Sequence, residues 1–243
     1  MTGFEYQFKV RAANALGESP LSTASAAILT ALVPDPPTGL ALVSRSATQV
    51  SFEWQAPENK GGIQLSGFNI YMAEGSGTYE LIDSAPSSLN PTITWHTHED
   101  SLTAASWYKF KVSAVNSVGE SDLTESIAVI AADLPEVPSN PPTATLITQG
   151  SISLEIEEVS ESGNGGAPIT GYIVQIDDGN GGQFTDIHDS LTTQLIINNL
   201  ESGLIYRLRY AARNIVYDTA NMYAIDKLRF GESLYALTAV LPS

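Results

Sequence analysis

The sequence predicts an all-β chain made of tandem, seven-stranded antiparallel sandwiches. Three observations lead there. One phrase recurs three times: YQFKVRAANALGES at Tyr6–Ser19, YKFKVSAVNSVGES at Tyr108–Ser121, and YRLRYAARN from Tyr206, closed by GES from Gly231. Between the phrases run short segments of alternating apolar and polar residues, bounded by turn residues, which is the period of strands and not of helices. Each block opens on prolines, at VPDPPTG from Val33 and at PEVPSNPPT from Pro135, which read as semi-rigid junctions.

Taken in order, the first block places Pro36 and Pro37 before its first strand, where a missing donor protects a sheet edge. In VSFEW, Val50, Phe52 and Trp54 share one face and Ser51 and Glu53 the other. GFNIYMAEGSGTYELI reads as a hairpin turning at Gly-Ser-Gly. Along the next strand Ile93 and Trp95 are assigned inward, which turns His96 and His98 to solvent. Leu102 stands six residues before Tyr108. The second block repeats the plan, with Ile152, Leu154 and Ile156 on one face, a hairpin turning at Gly-Asn-Gly-Gly, and Leu200 six residues before Tyr206. The expected core includes Trp54, Leu102, Tyr108, Phe110, Leu200, Tyr206 and Leu208.

Both blocks resemble fibronectin type III domains. The resemblance rests on Pro36-Pro37 and Pro141-Pro142, on Trp54, on Gly67–Tyr71 and Gly171–Val174, and on the pairs Leu102 with Tyr108 and Leu200 with Tyr206. The closing pattern Tyr-x-Phe-x-Val-x-Ala-x-Asn-x-x-Gly-x-Ser is its most specific part. The second block departs from it: Ile156 stands where the core Trp is expected, and Leu208 and Tyr210 replace Phe and Val, all of them apolar enough to keep the inner face. The resemblance implies immunoglobulin-like sandwiches. It divides the chain into the last two strands of a domain (1–34), a complete domain (35–135), and a second complete domain (136–243) with a long loop at about 215–230.

Residues 1–34 would expose Phe4, Tyr6, Phe8 and Val10, since a lone hairpin is at best marginally stable in water. Two readings follow: the sequence enters mid-domain in a longer array, or another molecule completes the sandwich by donating strands.

Composition narrows the function. The 27 acidic residues outweigh 11 basic ones, for a net charge of −16, and no basic stripe with interleaved aromatics stands out; nucleic-acid binding is not expected. Without cysteine there is neither disulfide stapling nor thiolate chemistry. No apolar run of about 18 residues suggests membrane insertion in this segment. The one Asn-x-Thr triplet, Asn90-Pro91-Thr92, is blocked by proline. No Gly-x-Ser-x-Gly, phosphate-cradling loop or His-Glu-x-x-His occurs, so neither catalysis nor a cofactor is expected.

The candidate partner site is the expanded loop of the third phrase. Sixteen residues, Ile215–Phe230, stand where the other copies have two. Tyr217, Met222, Tyr223, Ile225, Leu228 and Phe230 supply apolar and aromatic area suited to an interface, with Asp218 able to cap a short helix. The competing reading folds this loop back onto its own sandwich or the domain junction. His96 and His98, two residues apart, could share a metal ion, but solvent exposure is the simpler reading. Asp177–Gly182 looks like a calcium loop but lacks ligands at the required alternate positions, so a hairpin turn fits better. Glu155 and Glu157 read as a solvated strand face.

The expected function is a non-catalytic structural or adhesive segment of a larger protein: a semi-rigid spacer and protein–protein interaction or filament-building module, extracellular or at the cell surface. Its partners would be other chains, further domains of the same polypeptide, or copies of itself. Alternatives are an accessory module of an enzyme, with Trp107 the best exposed candidate for stacking a sugar, and a cytoskeletal or ciliary scaffold.

Overall fold

The computed structural model describes residues 3–83, 92–218, 237–240 and 242. Strands dominate. The first segment forms four short ones, β1 (Phe4–Tyr6), β2 (Ala13–Asn14), β3 (Gly17–Glu18) and β4 (Ile28–Thr30), with β1 antiparallel to β4 and β2 to β3. Between these pairs the ladder is carried by serines. The N–H groups of Phe8, Val10 and Ala12 donate to Oγ of Ser25, Ser22 and Ser19 at 3.0–3.1 Å. The serine N–H groups return bonds to the same residues' carbonyls at 2.8–2.9 Å. Three residues on one side thus match two on the other, and the hydroxyls satisfy donors that a regular ladder would pair with backbone.

The next seven strands are β5 (Thr38–Arg45), β6 (Val50–Gln55), β7 (Leu65–Glu74), β8 (Glu80–Asp83), β9 (Trp95–His98), β10 (Trp107–Asn116) and β11 (Ile127–Ile130). They form a three-stranded sheet in the order β5-β6-β9 and a four-stranded sheet in the order β11-β10-β7-β8. Val50, Phe52 and Trp54 from the first sheet and Phe68, Ile70, Tyr108, Phe110 and Val112 from the second are all buried. The rings interlock, with Phe52 4.9 Å from Phe110 and Trp54 edge-on to Phe68 at 5.3 Å, the tilted geometry aromatic quadrupoles favour. Leu102 is half-buried. The serine device returns here: Ala114 N–H donates to Ser121 Oγ and Val112 N–H to Thr124 Oγ1.

The last seven are β12 (Thr143–Ile147), β13 (Ile152–Glu155), β14 (Ile169–Ile176), β15 (Thr185–Ser190), β16 (Gln194–Ile197), β17 (Ile205–Asn214) and β18 (Leu237–Val240). Their sheets, β12-β13-β16 and β15-β14-β17-β18, repeat the same plan. Ile152, Leu154, Ile156, Tyr172, Val174, Tyr206, Leu208 and Tyr210 make one buried cluster with Leu200 packed against it. Ile156 fills the place of the tryptophan, and Tyr210 satisfies its extra hydroxyl by donating to the Glu157 carbonyl at 3.3 Å. Tyr206 turns the corner: its hydroxyl accepts the Glu201 N–H at 3.0 Å, the tyrosine-corner arrangement.

The expected inner face of β9 is overturned. Trp95 is 58% exposed, and His96 lies inward with its ring 5.5 Å from Phe52. The pairing with β6 decides this: Trp54 N–H donates to the Thr94 carbonyl, and Ser51 and Thr97 hydroxyls meet on the outer face at 2.8 Å. Thr94, His96 and His98 therefore share the core side. Trp107, expected to be exposed, is half-buried.

Candidate functional site

Two straps of chain, each just ahead of a sandwich, are held by the same set of bonds. In the first, Leu32 N–H donates to the Gly61 carbonyl at 2.9 Å and Asp35 N–H to the Asn59 carbonyl at 3.0 Å. Asn116, the last residue of β10, is buried and donates through Nδ2 to the carbonyls of Leu32 (2.7 Å) and Lys60 (3.0 Å). In the second, Asp133 N–H donates to Gly165 at 2.7 Å and Glu136 N–H to Gly163 at 2.8 Å. Asn214, the last residue of β17 and fully buried, donates to the carbonyls of Asp133 (2.8 Å) and Asn164 (2.9 Å).

The carboxamide suits this place because it has two donors for two carbonyls and an acceptor left over. That acceptor takes the N–H of Val118 and Gly119 in the first case and of Val216 in the second. Aspartate would set a negative charge against two carbonyl oxygens. Glycine is equally required opposite. Gly61 and Gly165 have φ of +76° and +75°, and a Cβ on either would overlap the strap carbonyl, of Leu32 or Asp133.

The expanded loop begins at the second strap. Helical turn α1 (Ile215–Asp218) starts ahead of Asp218, not at it. Within the compact unit that includes 97–107 and 129–243, Val216 is buried in a cluster with Ile130, Ala132, Leu134 and Ala167, and Trp107, Ile215 and Tyr217 pack against it. Tyr217 thus covers the strap. Met222, Tyr223, Ile225, Leu228 and Phe230 lie outside the described residues.

The other candidates have structural employment. Asp177 accepts from Arg207 N–H at 2.8 Å, Arg207 Nε at 2.7 Å and Gly179 N–H at 3.2 Å. Burial pushes its carboxyl up, and these bonds outweigh that, leaving it below the usual carboxylate range. Asp178 accepts the Asn180 and Gly182 N–H groups, so Asp177–Gly182 is a carboxylate-capped turn between β14 and β15. Glu155 and Glu157 are exposed. Burial draws His98 below its ordinary value, with Asp100 opposing. Among the described residues no three His, Cys, Asp or Glu side chains are grouped to hold a metal ion, and no helix is long and apolar enough to cross a membrane.

The sequence signal for the straps was present. Asn recurs in all three phrases, as Asn14, Asn116 and Asn214, and Gly61-Gly62 and Gly165-Gly166 recur ahead of the third strand. Their partners are remote, so the role of these residues was not readable from spacing.

The family model of the fibronectin type III domain matches residues 35–130. Residues 35–130 belong to the fibronectin type III family. Human myomesin-2 is 30% identical over 222 residues, covering 88% of this chain and 15% of that protein. The M-protein of chicken striated muscle is 33% identical over 180 residues, covering 71% of this chain and 12% of its own length. Fruit-fly titin is 29% identical over 220 residues, 87% of this chain and 1% of titin. The chain therefore spans a small fraction of each of these relatives. It is a structural, protein-interaction type of segment, in keeping with these fibronectin type III relatives.

Proposed function

We propose that the chain is a non-catalytic, semi-rigid spacer that also carries a protein–protein contact. In this reading 35–135 and 136–243 are two complete fibronectin type III domains and 1–34 ends another. The repeated strap carries the proposal: a linker bonded along its length to the domain that follows has few free dihedrals left for bending. Residues 215–230 supply the contact, with Met222, Tyr223, Ile225, Leu228 and Phe230 as its apolar side chains and Tyr217 at its root. The partner is another chain, a further domain of the polypeptide, or a second copy.

Residues 1–34 support a longer array. Phe8 and Val10 are 59% and 72% exposed, whereas their counterparts Phe110 and Val112 are fully buried. Such a face is stable only when strands like β5–β9 cover it. Preceding residues of the same polypeptide are the simplest source, and strand donation by a second molecule is the alternative.

A relative from striated muscle supports the cytoskeletal alternative beside the extracellular or cell-surface setting. No observation favours an enzyme accessory. Trp107, the candidate sugar platform, packs against the apolar cluster, and an exposed Trp95 alone makes no aromatic row.

Sedimentation velocity over a range of concentrations tests the contact, comparing the chain with a variant lacking 219–230. The deletion spares Val216, which is buried. Association that vanishes with the deletion supports the reading. Association that survives it moves the contact elsewhere, to the exposed face of 1–34.

A further inference from the structure

We propose that Asn116 and Asn214 are linker locks of unequal strength, so that the chain carries a soft strap at 31–36 and a stiff one at 130–136. This rests on the spacer reading. Four hydrogen bonds recur in both straps, from two strap N–H groups three residues apart and from the two donors of the asparagine amide, and the second strap adds a bond from Leu134 N–H to Asp133 Oδ1. The larger difference is the apolar cover.

In the second strap Ile130, Ala132 and Leu134 are buried under Val216 and Ala167, and Tyr217 and Trp107 close the edge. In the first, the residues after Asn116 are only Ser117 and Val118, Val118 is 51% exposed, and Leu32 and Val33 lie open to water. A hydrogen bond exposed to water competes with solvent each time it opens, while one under apolar cover must first expose that cover. Opening is therefore cheap at the first strap and costly at the second. The root of the expanded loop thus stiffens the second strap.

Amide hydrogen exchange by NMR on the intact chain tests this. In the native protein the Asp133 and Glu136 amides are expected to exchange at least about tenfold more slowly than those of Leu32 and Asp35. Asn116→Ala should speed Leu32 and Asp35 by about tenfold, as one or two lost hydrogen bonds would, and leave Asp133 and Glu136 unchanged. Asn214→Ala should do the reverse. Val216→Ser should bring the second strap to the level of the first while the amides of β14 stay protected. Equal protection of the two straps in the native chain overturns the proposal, as does an Asn variant that leaves its own strap unmoved. Should Asn214→Ala unfold the second sandwich, β14 will exchange as well, and the native comparison and Val216→Ser still decide. Exchange reads the straps alone, so this inference can fail while the sedimentation result stands, and the converse.

Discussion

The imidazole of His96 stands 5.5 Å from the ring of Phe52, on the strand face that Leu195 occupies opposite Leu154 in the second sandwich. His98 correspondingly stands where Ile197 pairs with Ile152. Two titratable rings thus line one sandwich where the other has aliphatic side chains. His98 sits below its ordinary pKa through burial, so the unfolded chain binds the proton more readily than the folded one. Its contribution is complete above the unfolded value of about 6.5 and is lost as pH falls below it. Urea unfolding of the first sandwich, followed by Trp54 fluorescence, should show declining stability from about pH 7 downward. His98→Leu should flatten that decline. Asp83, 3.6 Å from His96, and Asp100 remain in place in both proteins.

Gly165→Ala and Gly61→Ala should each destabilise their sandwich by about 3 kcal/mol or more, because the new methyl meets a strap carbonyl as well as a left-handed backbone. Gly181→Ala is the control. It has φ of +78° and open space where the methyl group would stand, so only the backbone cost of about 1 kcal/mol applies. Thermal unfolding of the three variants should separate the two causes, and equal losses would mean that the straps do not press on these glycines.

Asp177→Asn should cost the second sandwich about 2 kcal/mol, since it weakens bonds to the Arg207 guanidinium and backbone. The carboxyl lies below its usual range, so its stabilisation is present above the unfolded value of about 3.9 and disappears as pH falls further. The variant's stability should therefore depend less on pH in that acidic window than the native protein's does, measured by circular dichroism.

At the alkaline end Tyr210 governs. Burial pushes its phenol up to about 12, so the folded state holds a proton that the unfolded chain releases near pH 10. Stability of the second sandwich should fall from about pH 10 to about pH 12. Phenolate absorbance should show a late tyrosine titration that accompanies unfolding, and Tyr210→Phe should reduce both signatures, leaving the part due to Tyr172, whose phenol burial also raises, while losing the bond to the Glu157 carbonyl.

Much of the fold was legible in the sequence because its signals are local. Alternation marks VSFEW and SISLEI, glycine pairs mark the hairpin turns, and the fixed step from Leu200 to Tyr206 marks the corner. The face of β9 was not legible. Ile93, Trp95 and Thr97 alternate with Thr94, His96 and His98, and alternation names two faces without saying which one is buried. Hydrophobicity favoured the tryptophan side, but the bond from Trp54 N–H to the Thr94 carbonyl put the histidines inside. Of the candidate site, the sequence marked the expanded loop by its length, while its root at Val216 became a packing element only against Ile130 and Leu134.

By itself, then, the sequence determined the two seven-stranded sandwiches, their corner tyrosines and the unusual length of the last loop, all set by patterns within a few residues. Tertiary structure alone decided what the repeated asparagine does. Asn116 meets the Leu32 carbonyl 84 residues away, and Asn214 meets Asp133 at a separation of 81. A side-chain amide has no preference for partners at that distance until the sheets are assembled. Once they are, the buried amide has two carbonyls within reach, and a buried donor left without them would be costly.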